Sequence, residues 1–254
     1  MRAYLSFTKK ELMGNLRTYK LLIMFLVFLL FGMLGPLTAK LMPKLLETLI
    51  TDGITITLPE PSAFDSWAQF FKNVSQLGLF VVVILFSGMM ANEYSHSTLT
   101  HVLTKGLKRS TVILSKFTAS SMIWTGSYLV CFLTSYFYTK YFWPEDKILN
   151  LSYSVFYLWV FGILLLAAIT FGGVVFRNSS GCLMFTGGVV VLLYVLNIVP
   201  KIQKFNPVAL ISSNMDILKG QSLPMDLLPS LVVSLAVIVF FIASAIGLFN
   251  KKQI

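Results

Sequence analysis

Few side chains in this sequence are placed to do covalent chemistry. The two histidines, His96 and His101, stand five residues apart with no acid between them. A zinc hydrolase of the H-E-x-x-H type needs two imidazoles on one helical face with a glutamate between them, and this spacing supplies neither. A cradle for nucleotide phosphates of the G-x-x-x-x-G-K-[ST] type is absent too, since no glycine in the chain is followed by lysine. Cys131 and Cys182 both fall in long apolar stretches, where a thiol packs as a small hydrophobe. What remains is the segment NEYSHSTLTHVLTKGLKRSTVILSK, residues 92–116, with Glu93 near its start and Lys116 at its end. Each of these two charges borders an apolar run. They would either pair across the ends of neighbouring helices or snorkel separately toward water.

The elements that must position them are membrane spans. Six runs, residues 21–39, 74–91, 117–139, 153–176, 181–200 and 227–249, contain no Asp, Glu, Lys, Arg or His. About 20 apolar residues rising 1.5 Å each match a hydrocarbon core of about 30 Å, and a helix satisfies its own backbone polar groups there. With 56% hydrophobic residues, 12% charged residues and 22 phenylalanines, the chain has too little polar surface to cover a soluble globule. The expected fold is an all-α integral membrane protein with six transmembrane helices in a single domain, residues 1–254. The first span is expected to stay in place as an uncleaved anchor. An intramembrane protease would need a nucleophile and base held together, typically Ser with His or paired Asp. An ion-driven carrier would need ionisable groups at membrane depth. The spans offer no His, Asp or other charge for either, and a pore lined by Ser127, Thr134, Tyr194 and Asn197 is too sparse to hold a water column.

Charge fixes the expected orientation. Arg2, Lys9, Lys10, Arg17, Lys20, Lys105, Lys108, Arg109, Lys116, Arg177, Lys251 and Lys252 fall on one side with only two acids, Glu11 and Glu93. The other side holds eight lysines and eight acids. The whole net charge of +10 therefore lies on one face, and the positive-inside rule predicts that both termini are cytosolic. Contact with anionic inner-leaflet lipid accounts for the basic balance, so nucleic acid is not an expected partner.

Residues 2–20 read as a basic amphipathic helix lying in the interface. Tyr4, Leu5, Leu12, Leu16 and Tyr19 form its apolar stripe, Lys9, Lys10, Arg17 and Lys20 the adjoining basic arc, and Phe7 and Met13 break the pattern. The same residues are also compatible with a disordered basic lead-in. Residues 40–73 are expected to form an outer loop with a short helix near 41–49 and an extended piece at 54–57. The four residues 177–180 force the fourth and fifth spans into a tight hairpin, whose Gly172, Gly173, Gly181, Gly187 and Gly188 are of the kind that lets membrane helices approach. Residues 201–226 are too short to cross and are expected to dip a short helix into the outer leaflet.

Within the loop between the second and third spans, Leu99, Val102, Leu103 and Leu107 recur at three- and four-residue spacing and mark one face of a short helix, residues 95–107. Its apolar face needs a cover, either bilayer or a groove on a partner. Together with the basic helix before the first span and the six spans, the order Glu93, Ser97-Thr98-Leu99, Leu103, Lys108-Arg109, Lys116 resembles the permease subunits of type 2 ATP-binding-cassette exporters. Those have a Glu, a small residue with Thr-Leu, a Leu, often a Pro near a Ser-Arg pair, and a Lys. Here Gly106 to Arg109 occupy the place of that Pro, and the pair is reversed as Arg109-Ser110.

The resemblance implies that residues 95–107 are a coupling helix seated on a nucleotide-binding subunit, with Ser97, Thr98, Leu99, Val102, Leu103 and Leu107 as the contact residues. It implies that Glu93 and Lys116 relay motion and that residues 2–20, with Lys9, Lys10, Arg17 and Lys20, are the connecting helix on the inner leaflet. The implied assembly is a bacterial plasma-membrane dimer, of two copies or of a copy and a paralogue, with two ATPase subunits that bind ATP and Mg. No cofactor is expected on this chain, and it is not expected to be an enzyme. The implied cargo is amphipathic: a peptide, a lipid-like compound or a drug. A rival from a different class is a membrane receptor or immunity protein that binds a peptide at its outer loops without moving it.

Overall fold

The computed structural model describes residues 2–49, 60–95, 108–146 and 148–251, and all regular structure among these residues is helical. The order is α1 (Arg2–Arg17), α2 (Lys20–Leu49), α3 (Ala63–Asn73), a π-helical turn (Val74–Gly78), α4 (Leu79–Ser95), α5 (Arg109–Phe142), α6 (Leu151–Phe176), α7 (Ser179–Leu196), three short helices α8 (Pro200–Gln203), α9 (Ala209–Ser212) and α10 (Asn214–Leu218), a 3-10 turn (Pro224–Leu227) and α11 (Leu228–Lys251). Among the described residues, five stretches are long and apolar enough to cross a membrane: Lys20–Pro43, Ala63–Ala91, Leu151–Phe176, Ser179–Leu196 and Pro224–Lys251.

The sixth expected span lies within α5, which is 34 residues long but too rich in Ser, Thr and Tyr to join those five. Several of its hydroxyls bond to neighbouring helices. Ser135 Oγ donates to the Gly32 carbonyl at 2.8 Å, the Ser66 and Thr139 hydroxyls meet at 2.6 Å, and Tyr128 donates to the Val155 carbonyl at 2.8 Å. Trp159 Nε1 donates to Thr125 Oγ1 at 3.0 Å. Polar bonds of this kind hold helices together where lipid offers no hydrophobic drive for association. The α2–α5 crossing is also backbone-close: a Cβ added to Gly32 would stand 2.7 Å from the Cys131 carbonyl oxygen and 2.9 Å from Thr134 Cβ. Likewise, a Cβ on Gly162 of α6 would collide with the Trp124 indole. Helix α6 is the central element, with 78% of its most apolar stretch buried against 11% for its hairpin partner α7.

Three helices extend beyond the charge-free runs. The chain is helical from Ala63 rather than from 74, because Ala63, Ser66, Trp67, Phe70, Phe71 and Val74 form a buried face at helical spacing that continues past Lys72. Asp65 Oδ2 accepts from the Ser62 backbone amide at 2.9 Å and from its hydroxyl at 2.8 Å, which stabilises the start of α3. Helix α2 runs through Pro36 and Pro43 to Leu49, so the expected short helix at 41–49 is its continuation. Helix α5 starts at Arg109 and carries Lys116 in its second turn. The extended piece expected at 54–57 lies outside the described residues.

Between α7 and α11 the chain is divided among short helices, and most of its apolar residues from 208 to 218 are buried on protein, whereas Ile202, Phe205, Leu223 and Met225 are exposed. Val208, Ala209, Leu210, Ile217 and Leu218 are all covered, the first four at 3% exposure or less, and Ala209, Leu210 and Ile217 pack with Tyr157 and Val160 of α6. Asn206 Nδ2 donates to the Leu193 carbonyl at 2.6 Å, tying this segment to the end of α7.

Candidate functional site at the charged end of the bundle

Helix α1 is placed by three contacts with α5 and its neighbours. Phe7 is buried in a cluster with Met90 of α4, Val112 and Ile113 of α5, Val174 of α6 and Phe249 of α11. Tyr4 and Thr118 share a 2.6 Å hydrogen bond. Tyr19, with a left-handed φ of 58°, turns the chain from α1 into α2 within two residues. Phe7, which breaks the apolar stripe in the sequence, is therefore the anchor of α1. Leu5, Leu16 and Tyr19 of that stripe remain 55–67% exposed, and Lys9, Lys10 and Arg17 are exposed beside them. Helix α1 thus has a protein face at Tyr4, Phe7, Thr8 and Glu11 and a separate apolar face for lipid.

The protein face ends in an ion cluster. Lys116 Nζ lies 2.9 Å from Glu93 Oε1 and 2.9 Å from Glu11 Oε2, and its side chain is 2% exposed. The Glu11 and Glu93 side chains are 10% and 14% exposed. Lys10 closes the cluster from the rim, 3.4 Å from Glu11 and 3.7 Å from Glu93, with its own side chain 51% exposed. Asn15 Nδ2 donates to the Glu11 carbonyl at 2.9 Å, and Lys20 lines the same cleft of about 170 Å³. Two lysines and two glutamates thus make a locally neutral knot at the end of the bundle with the greatest positive charge. A buried lysine needs such partners, since an unpaired ammonium in a low-dielectric site is costly.

Glu93 and Lys116, which the sequence left either to pair or to snorkel separately, are brought together by the fold. Glu11 was missed. The signal lay in the charge count: it is one of only two acids on the basic side, and both bind the same lysine. Arg109, noted in the sequence only as part of the Lys108-Arg109 and Arg109-Ser110 pairs, has a further role in the fold. Its Nη1 donates to the Phe249 carbonyl at 2.8 Å and the Asn250 carbonyl at 3.2 Å, so it ties the start of α5 to the end of α11. Ser97, Thr98, Leu99, Val102, Leu103 and Leu107 lie outside the described residues, as do His96 and His101. What the structure describes is the pair of roots from which that segment springs: α4 with Glu93 and α5 with Lys116, joined to each other and to α1.

This arrangement offers no nucleophile, and among the described residues no group of His, Cys, Asp and Glu is arranged to hold a metal ion. It is an ion-paired junction of three helices. No protein-family model matches the chain. The chain is similar to the uncharacterized transmembrane protein YxlG of Bacillus subtilis (strain 168), with 22% identity over 182 residues that cover 70% of each chain. Taken with the long apolar helices, that likeness makes this an all-α membrane protein whose helices cross the bilayer.

Proposed function

We propose that this chain is the membrane-spanning permease subunit of an ATP-driven exporter. In this reading α5 is the third of six spans and the end bearing Lys116 faces the cytosol with both termini, in the plasma membrane of a bacterium. Residues 95–107 form the coupling helix on a separate ATPase subunit, which supplies the ATP and Mg site that this chain lacks. Two permease chains, identical or paralogous, dimerise with two ATPases. ATP-driven closure of the ATPases pushes the two coupling helices and switches access from one side to the other. The cargo is an amphipathic peptide, lipid-like compound or drug, because the spans present apolar, Phe-rich and charge-free surface.

The observation that carries this reading is the convergence of both acids of the basic side on Lys116. Displacement of the 95–107 segment acts first on α4 and α5, and the two 2.9 Å bonds tie both to the interfacial helix α1. The test is co-expression with any soluble ATPase encoded beside this chain, with purification through a tag on the permease. A stoichiometric complex that hydrolyses ATP in nanodiscs is expected. Leu99→Asp and Leu103→Asp should each abolish ATPase association while membrane insertion is retained. A permease that purifies alone, or variants that co-purify unchanged, would shift the reading to a receptor or immunity protein that binds a peptide without transporting it.

A further inference from the structure

At the end of the bundle opposite Lys116, a cavity of about 430 Å³ opens between the start of α3, the last turns of α5 and the connection to α6. Trp67, Tyr136 and Trp143 give it aromatic walls, and Lys140 and Asp146 place one charge of each sign on its lining. The Ala63 amide donates to Asp146 Oδ2 at 2.8 Å, which fixes the connection over α3. Neither Lys140 nor Asp146 takes part in an ion pair among the described residues. Aromatic faces with a carboxylate suit a substituted ammonium, and a lysine suits a phosphate. Tyr136 belongs to a second feature as well. Met122, Leu129, Leu133 and Phe137 are 47–66% exposed and run down α5 at spacings of seven and four residues, ending beside it. In a bilayer that stripe faces acyl chains, and the cavity sits at its head.

We propose that this cavity binds the zwitterionic headgroup of a phospholipid. The ammonium sits against the aromatic walls and Asp146, the phosphate at Lys140, and the acyl chains lie along the α5 stripe. The inference is independent of the exporter reading, because it requires no ATPase and lies at the other end of the molecule.

The test uses the full chain, purified in detergent, with short-chain phosphatidylethanolamine, phosphatidylglycerol of the same chain length and phosphoethanolamine alone as probes. Bound probe is read by native mass spectrometry and by tryptophan fluorescence. The ethanolamine lipid should be favoured over the glycerol lipid by about fivefold or more, and Asp146→Asn and Trp143→Leu should each weaken it about three- to tenfold. Asn keeps an acceptor for the Ala63 amide, and Lys140→Gln, at an exposed position, carries the test should Trp143→Leu fail to fold. Val239→Ala, on an exposed face of α11, should change nothing. Equal binding of the two lipids, retained preference in the variants, or binding of phosphoethanolamine as tight as that of the lipid would overturn the proposal.

Discussion

The two ends of the bundle handle charge in opposite ways. The end that the sequence count marks as basic has only two acids, and both are drawn into a buried knot on Lys116. The other end is balanced, eight against eight, yet no ion pair forms there among the described residues. Charge count and charge placement therefore do separate work. The count sets which end an anionic leaflet attracts. Placement of the few acids decides which end is mechanically joined.

The strongest way to break this contrast is Lys116→Met. It leaves the buried Glu11 and Glu93 with only the half-exposed Lys10 as a cation and should cost about 3–5 kcal/mol. Thermal unfolding in detergent would show this as a large fall in Tm, and a change of less than about 1 kcal/mol would mean that the knot is solvated like the charges at the other end. Gly32→Leu probes the joint between the ends. A side chain wedged against the Cys131 backbone should cost about 1–3 kcal/mol or more, seen in the same unfolding measurement.

Glu11→Gln and Glu93→Gln sharpen the contrast, since each should cost about 1–3 kcal/mol. The double variant should depart from additivity by about 0.5–3 kcal/mol, because both act on one ammonium. Strict additivity would separate α1 from the α4–α5 pair. Lys10→Gln and Asp146→Asn are the smallest, each within about 1 kcal/mol, since both residues are exposed. The Lys10 effect should shrink further as salt is raised.

Much of the architecture could be read from the sequence because lipid imposes a simple rule of length and polarity. That rule placed the apolar cores of α2, α4, α6, α7 and α11. It began the second run only at Val74, past Lys72, because a criterion of no charge cannot see an amphipathic helix whose buried face includes Trp67, Phe70 and Phe71. In the hairpin glycines the rule had no way to choose sides. A Cβ added at Gly172 or Gly173 would stand 2.8 Å from Phe185 or Met90, whereas one added at Gly187 or Gly188 would meet nothing within 4 Å. At the site, Glu93 and Lys116 were legible because they sit at run boundaries. Glu11 was not, because helical periodicity assigned α1 a lipid face and gave no sign of a second, protein-facing one. Only the tertiary placement of Phe7 and Tyr4 reveals that face.

Lys116 and Thr139 belong to one unbroken helix. Twenty-three residues separate them, a reach of about 35 Å. At its crossing with α2 that helix meets bare backbone through Gly32, so the two helices are interlocked like a toothed rack and its guide. A lever of this kind has no independent ends. Any coupling carried between the lysine and the aromatic cavity along this helix is reciprocal, each changing the equilibrium at the other by the same factor.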